Sequence, residues 1–308
     1  MLNVPAPGLA DRAGRVETRR RFGGLGLMID APRIVVEATF ATEWHFSGSL
    51  ADRARQFQHR FTATTPLAIV ANGPPEHVGL GVGTALGMAF AEAVSVLNGV
   101  PNRTDRELAT LCGRGERSGI GVSGFRTGGF IVDRGKRDGE TVSDCQTYSF
   151  PSVWRIVVAR PKVAAKWSGD AERAAFARPR MPEEARDTST RLETLLNESI
   201  VPALIQRHFA SFARGLTEYN RQAGEPFAAD QGGVYSSPNV TKLVERIQQC
   251  GVAGVGQSSW GPSVFAIVES EQTAQSLAKT LADAEKELDL LSVDVTTAAK
   301  PAAVEVIS

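Results

Sequence analysis

Between Gly79 and Leu97 the chain sets a cluster of glycines directly before a long stretch of small and apolar residues. No other segment restricts the possible folds as strongly. Thr84–Leu97 carries Ala85, Leu86, Met88, Ala89, Phe90, Ala91, Ala93, Val94 and Val96, with Glu92 as its single charge. Such a segment predicts a helix that is apolar on nearly all sides, and that helix must be covered on nearly all sides. It therefore belongs between a sheet and neighbouring helices, with Glu92 buried. Before it, Pro66–Ala71 reads as a short apolar strand, ended by Gly73, Pro74 and Pro75 because proline supplies no ladder donor. After it, Asn98-Gly99 supplies a stop, Gly99 being suited to a left-handed cap.

The remaining pattern alternates between element types. Gly23–Met28 leads to a β-branched strand at Arg33–Phe40, and Thr42–Gly48 is expected to continue it as a hairpin. Ala51–Thr62 is helix-like, with Phe57 and Phe61 on one face. Thr104 and Glu107 have the spacing of a capping box for a helix reaching about Cys112. Glycines crowd 113–129 and read as loop, before a short strand at Phe130–Asp133; Asp138-Gly139 signals a turn. Val153–Ala159 is a strand. Residues 161–182 form a long Pro- and Gly-containing loop. Helices are expected at Glu183–Leu196, Val201–Tyr219, Ser237–Gln249 and Thr273–Leu288, and strands at Val252–Gly256, Ser263–Val268 and Leu291–Val295. Residues 297–308 have no recognisable pattern.

Bulk properties exclude several function classes. With 308 residues, 42% hydrophobic, 22% charged and a formal net charge of zero, the chain is globular and has no general field for nucleic acid. Arg12, Arg15, Arg19, Arg20 and Arg21 form a local basic cluster only. Cys112, Cys145 and Cys250 offer no paired spacing, which fits a reducing compartment, and the four histidines make no zinc motif. No apolar run approaches the ~20 residues of a membrane span, and the N-terminus lacks a signal-peptide core. A cytoplasmic protein is expected.

Three segments carry chemistry. Gly79-Leu80-Gly81-Val82-Gly83-Thr84-Ala85 allows close backbone approach at the head of a helix, whose first N–H groups and positive dipole end suit a phosphate or diphosphate. It is not a Walker loop, since no GK[ST] follows, and a ligand-free helix entry is an equal alternative on this evidence. Val255-Gly256-Gln257-Ser258-Ser259-Trp260-Gly261-Pro262 offers glycines and hydroxyls between two strands, although taken alone a plain turn is the better explanation. Gly113-Arg114-Gly115-Glu116-Arg117-Ser118-Gly119-Ile120-Gly121 adds guanidinium forks for phosphate or carboxylate, or solvated arginines on a surface loop.

Together, Gly79–Ala85, Glu116–Gly129 and Gly254–Ser263 resemble the three spaced motifs of the GHMP kinase superfamily. The resemblance implies an α+β, two-lobe GHMP-kinase-like fold. Residues 1–150 would form a ribosomal-S5-domain-2-like lobe, 151–296 a ferredoxin-like lobe, and 297–308 a tail, with the ligand between the lobes. Within the superfamily, Arg21–Met28, Glu76–Ala85, Glu116–Gly121 and Gly128–Asp133, together with Ser168-Gly169, Glu172 and Phe176, are similar to the beta-ribofuranosylaminobenzene 5′-phosphate synthase family. That family condenses phosphoribosyl pyrophosphate with a para-substituted benzoate, 4-aminobenzoate or 4-hydroxybenzoate. Carbon dioxide and pyrophosphate are released, in methanopterin-type cofactor synthesis.

The resemblance implies a diphosphate held by Gly79, Gly81, Val82, Gly83, Thr84 and Ala85, with further contacts from Gly256, Gln257, Ser258 and Ser259. Arg117 would clamp an anion, with Arg20 and Arg21 as second choices, and Ser118 would act beside it. Mg²⁺ is the expected metal, with Glu116, Asp133 and Asp230 as candidate ligands and no organic cofactor. No nucleic-acid or membrane partner is expected; a homodimer is one candidate assembly. The related sugar and mevalonate-type kinases carry an SG[IVL]D string whose Asp assists phosphoryl transfer. Here Ser118-Gly119-Ile120-Gly121 ends in glycine, which argues against an ATP-dependent kinase, the main alternative. The family's RLHFG-like opening string is absent; a non-catalytic ligand-binding relative is the other alternative.

Overall fold

The computed structural model describes residues 23–61, 65–116, 118–137, 140, 143–162 and 182–306. In chain order its elements begin with β1 (Gly24–Leu27), β2 (Val35–Phe40), β3 (His45–Ser47), α1 (Ala51–Gln58), β4 (Leu67–Asn72), α2 (Val82–Leu97), α3 (Asp105–Cys112), α4 (Ile120–Thr127), β5 (Phe130–Asp133) and β6 (Cys145–Tyr148). They continue with β7 (Arg155–Pro161), α5 (Pro182–Leu195), α6 (Val201–Ile205), α7 (Phe209–Gly224), α8 (Ala228–Gln231), α9 (Pro238–Gln249), β8 (Gly254–Gln257), β9 (Val264–Val268), α10 (Glu271–Asp283), α11 (Glu285–Leu288) and β10 (Leu290–Thr296). A π-helical turn, Leu196–Ile200, joins α5 to α6.

Two small sheets, β1-β5-β6 and β2-β4-β3, serve the N-terminal half. α2 fills the space the sequence predicts for it. Phe90 is fully buried and stands amid Trp44, Phe46, Phe57 and Phe61, ring centroids 5.4–6.5 Å away. Glu92 is 5% exposed and pairs with Arg126 at 2.6 Å, which satisfies a charge that could not otherwise remain there. The capping box forms, with Thr104 N–H donating to Glu107 at 2.7 Å and Glu107 N–H to the Thr104 hydroxyl at 3.3 Å.

The four-stranded sheet has the order β10-β7-β9-β8 with every neighbour antiparallel. A strand, a helical excursion, a hairpin, a helix and a last strand in this order make a βαββαβ, ferredoxin-like unit. A shared apolar layer ties it to β1 and β5: Leu25, Phe130 and Val132 pack with Trp154, Phe212 and Ile267. Phe130 meets Phe212 edge-on at 5.6 Å.

Several expectations fail in instructive ways. β3 does not form a hairpin with β2; both flank β4, β2 antiparallel and β3 parallel. The apolar β4, with Leu67, Ile69 and Ala71 buried, thereby gains partners on both edges. α2 starts at Val82 rather than Thr84. Residues 120–127, read as glycine-rich loop, are helical: at Gly121 and Gly124 a Cβ would lie 2.8 Å from Thr84 and 2.5 Å from Met28, so these glycines permit close packing. The helix expected over Val201–Tyr219 breaks at Arg207, whose φ is 55°, and restarts under a cap in which His208 Nδ1 accepts from Ser211 N–H at 3.4 Å. The patternless tail is anchored: Ala299 N–H donates to Met28 O at 2.8 Å, Gly129 N–H to Ala299 O at 3.1 Å and Ala302 N–H to Phe125 O at 2.9 Å. The Asp138-Gly139 turn and most of the 161–182 loop lie outside the described residues.

Candidate functional site

The two glycine turns meet, 179 residues apart in sequence. Ser258 Oγ donates to Gly79 O at 2.6 Å. Gly79 has φ 89°, and a Cβ there would lie 2.2 Å from the Ser258 carbonyl oxygen; one on Gly261 would lie 2.1 Å from Gly79 N. The turns are therefore in direct contact, rather than facing one another across a cleft, and Gly79 is spent on that contact rather than held open for a ligand.

Gly81 is the open position. It begins α2 with φ 68°, no side chain caps the helix, and a Cβ there would meet nothing within 4 Å. Its carbonyl takes the N–H groups of Thr84 and Ala85, both at 3.1 Å. The N–H groups of Val82 and Gly83, at the helix start, have no intrahelical acceptor. An anion placed there also meets the positive end of the helix dipole. Gly83, expected to be open, is shielded: a Cβ would lie 3.1 Å from the Arg114 guanidinium and 3.2 Å from the Glu76 carboxylate.

α4 approaches the same helix end, through the contact of Gly121 with Thr84 noted above. The loop ahead of it is held by Asp133, 2% exposed at the end of β5. Asp133 accepts from Gly119 N–H at 2.7 Å, Gly135 N–H at 2.8 Å and Ser118 Oγ at 3.1 Å. Burial raises its pKa, and these hydrogen bonds pull the other way. Ser118 Oγ also accepts from Ile120 N–H at 3.3 Å, so this hydroxyl shapes the start of α4. Lys136, 6% exposed, reaches back to donate to Gly115 O; burial lowers its pKa and Asp133 opposes the change.

The turn after β8 is equally supported. Asn220 accepts from Gln257 N–H and donates to Gln257 O, both at 2.9 Å. At Gly256 a Cβ would come within 2.5 Å of Asn220, so this glycine serves packing. Gln257 is 1% exposed, accepts from Ser236 N–H at 2.7 Å and donates to Ser259 O at 2.8 Å; its side chain braces the turn instead of reaching a ligand. Ser259 sits at φ 55° at the tip. Asn220 carries no signal in the sequence, because its role depends on α7 crossing β8.

Arg117, Arg20 and Arg21 lie outside the described residues, as do Ser168, Gly169, Glu172 and Phe176. Of the candidate metal ligands, Glu116 is exposed, Asp133 is committed to the bonds above, and the Asp230 side chain is outside the description. Among the described residues no three His, Cys, Asp or Glu side chains gather to hold a metal. Nor is any helix among them long and apolar enough to cross a membrane.

The class follows from this architecture. Homoserine kinase from Cytophaga hutchinsonii superposes with a TM-score of 0.67 over 90% of both chains at 16% identity. Mevalonate pyrophosphate decarboxylase from Streptococcus pyogenes gives 0.65 over 92% of this chain and 89% of its own at 11% identity. The family described as GHMP kinases C terminal matches residues 200–287. The fold is the two-lobed α+β fold of the GHMP kinases.

Within that class the chain is a homologue of proteins named beta-ribofuranosylphenol 5′-phosphate synthase. The one from Methanothermobacter thermautotrophicus is 29% identical over 283 residues, 83% of this chain and 84% of the relative. The one from Archaeoglobus fulgidus is 27% identical over 277 residues, covering 83% and 82%.

Proposed function

We propose that this protein is a decarboxylating phosphoribosyltransferase, joining phosphoribosyl pyrophosphate to a para-substituted benzoate in methanopterin-type cofactor synthesis. The carrying observation is Gly121: the position where related kinases place their carboxylate holds none, and it packs against the first turn of α2, where a Cβ would lie 2.8 Å from Thr84. The relatives' name denotes a ribosyl phenol phosphate, which favours 4-hydroxybenzoate over 4-aminobenzoate.

In this reading the diphosphate rests on the N–H groups of Val82 and Gly83. The bond from ribose C1 to the diphosphate oxygen breaks with its electron pair leaving on pyrophosphate, and the helix end stabilises the departing charge. The ring carbon bearing the carboxylate bonds to C1. The bond to the carboxylate then breaks, its electrons restore aromaticity, and carbon dioxide departs. Arg117 is assigned the aromatic carboxylate. Asp133, through Ser118 and Gly119, positions the loop that carries it. Mg²⁺, if required, would arrive with the diphosphate instead of in a protein cradle, since that metal is commonly held mainly by substrate phosphates and water.

The test is incubation with phosphoribosyl pyrophosphate, Mg²⁺ and carboxyl-labelled 4-hydroxybenzoate or 4-aminobenzoate. Labelled carbon dioxide and pyrophosphate in equal amounts without ATP are expected. Substrate-dependent ADP formation would overturn the reading in favour of a kinase.

A further inference from the structure

Three arginines from separate parts of the chain converge beside the first turn of α2. Arg53 comes from α1, Arg60 from just beyond it, and Arg114 from the loop after α3. Arg53 and Arg114 both lie over the Phe57 ring, each guanidinium carbon 5.4 Å from its centroid. The Arg114 guanidinium reaches the space a Gly83 side chain would occupy, and Arg60 covers Gly113 closely enough that a Cβ there would be 2.6 Å from its guanidinium carbon. Among the described residues one carboxylate pairs with the group: Glu76, 3.0 Å from Arg53 Nε. Arg60 is exposed and forms no ion pair with a described residue; Arg114 Nε is buried without a hydrogen-bond partner.

This arrangement is electrostatically costly. Like charges repel, and burial followed by the field of Arg53 makes the charged form of Arg114 less favourable. Phe57, which pins two of the guanidinium groups, itself packs on α2, where a Gly87 Cβ would be 3.1 Å from its ring. Arg53 and Arg114 are thus tied through Phe57 to the helix that carries the open Gly81 turn, and Arg60 stands beside them over Gly113. A doubly charged phosphate monoester would neutralise the excess and accept from guanidinium forks.

We propose that Arg53, Arg60 and Arg114 form a second anion subsite that takes the 5′-phosphate of the phosphoribosyl donor, while the Val82 and Gly83 N–H groups take its diphosphate. The proposal rests on the transferase reading for the identity of the donor. The two-ended anionic substrate would then contact both the helix end and the adjoining arginine cluster.

Direct binding to the full chain tests this separately from catalysis. Ribose 5-phosphate, inorganic pyrophosphate and phosphoribosyl pyrophosphate are titrated calorimetrically into the parent, Arg60→Ala, Arg114→Lys and Gly81→Ala proteins. Arg60 is exposed, and Arg114→Lys keeps the charge, so both variants should fold; thermal melts check this. Expected are at least tenfold weaker ribose 5-phosphate binding in both arginine variants with pyrophosphate changed less than twofold, and the reverse for Gly81→Ala. That pattern supports the subsite even if no carbon dioxide is released in the transfer assay, in which case only the reaction assignment fails. Unchanged ribose 5-phosphate affinity in the arginine variants, equal loss of pyrophosphate, or no ribose 5-phosphate binding by the parent would overturn it.

Discussion

Gly79 and Gly81 are two residues apart and both have positive φ, yet their replacement by alanine should have opposite consequences. At Gly79, alanine incurs the left-handed penalty of about 1–2 kcal/mol. Its Cβ would also lie 2.2 Å from the Ser258 carbonyl oxygen and 3.2 Å from Gly261 Cα, where the nearest obstacles are backbone atoms. Forcing the turns apart adds an overpacking cost of about 1–3 kcal/mol and weakens the bond from Ser258 to Gly79 O. Gly79→Ala should therefore lose about 2–5 kcal/mol of stability. At Gly81 the space is empty, so alanine should cost only the left-handed penalty of about 1–2 kcal/mol. Its methyl group projects where an anion would sit, and pyrophosphate affinity should fall more than tenfold. Urea unfolding of both variants, with calorimetric titration of pyrophosphate, separates the effects. Gly79→Ala within about 0.5 kcal/mol of the parent would refute the turn contact, a difference typical of neutral surface changes. Gly81→Ala with unchanged pyrophosphate affinity would refute the helix end as the anion site.

Arg126→Met leaves Glu92 buried without its partner and should destabilise by about 1–3 kcal/mol in chemical denaturation, with Glu92→Leu in the same background recovering part of the loss. Thr104→Ala removes the capping box and should cost about 1 kcal/mol by thermal melting. Burial pushes the Cys112 thiol up to about 11, and burial and then Asp133 push Cys145 up to about 12. Thiolate is the reactive form, so both should resist iodoacetamide at pH 8 while exposed Cys250 is alkylated, as mass spectrometry of the native protein would register. For Asp133 a folded pKa above the unfolded one means that the native state holds the proton longer. Stability should then fall as pH rises from the ordinary carboxylate range to the folded pKa. Asp133→Asn should flatten that slope in pH-resolved unfolding curves.

What was legible in the sequence depended on whether the signal was local. The burial of α2 follows from its composition, and the capping box from two residues three apart. Secondary structure was misread where a residue's neighbours lie far away in the chain. The glycines of α4 resemble loop until Thr84 and Met28 are seen against them. β3 has the composition of a hairpin strand, but its partner is chosen by β4, which buries both edges. In the candidate site, the glycine turns are visible as glycines, whereas their mutual contact is not. Gln257 appears in a promising turn, yet Ser236 and Ser259 absorb its amide. Arg53, Arg60 and Arg114 share no motif; stacking on Phe57 gathers Arg53 and Arg114, and Arg60 joins them over Gly113.

The bonds from Ala299 and Ala302 to Met28, Gly129 and Phe125 impose an order on biosynthesis. The N-terminal sheets leave the ribosome early, but the strand end at Met28 and the C-terminus of α4 wait for residues made after all of the four-stranded unit. Domains commonly complete in the order of their synthesis. Here the first half would remain unsealed until residues 299–302 emerge. A nascent chain arrested shortly after β10 should expose this seam to protease, although both halves of the shared core have already been translated.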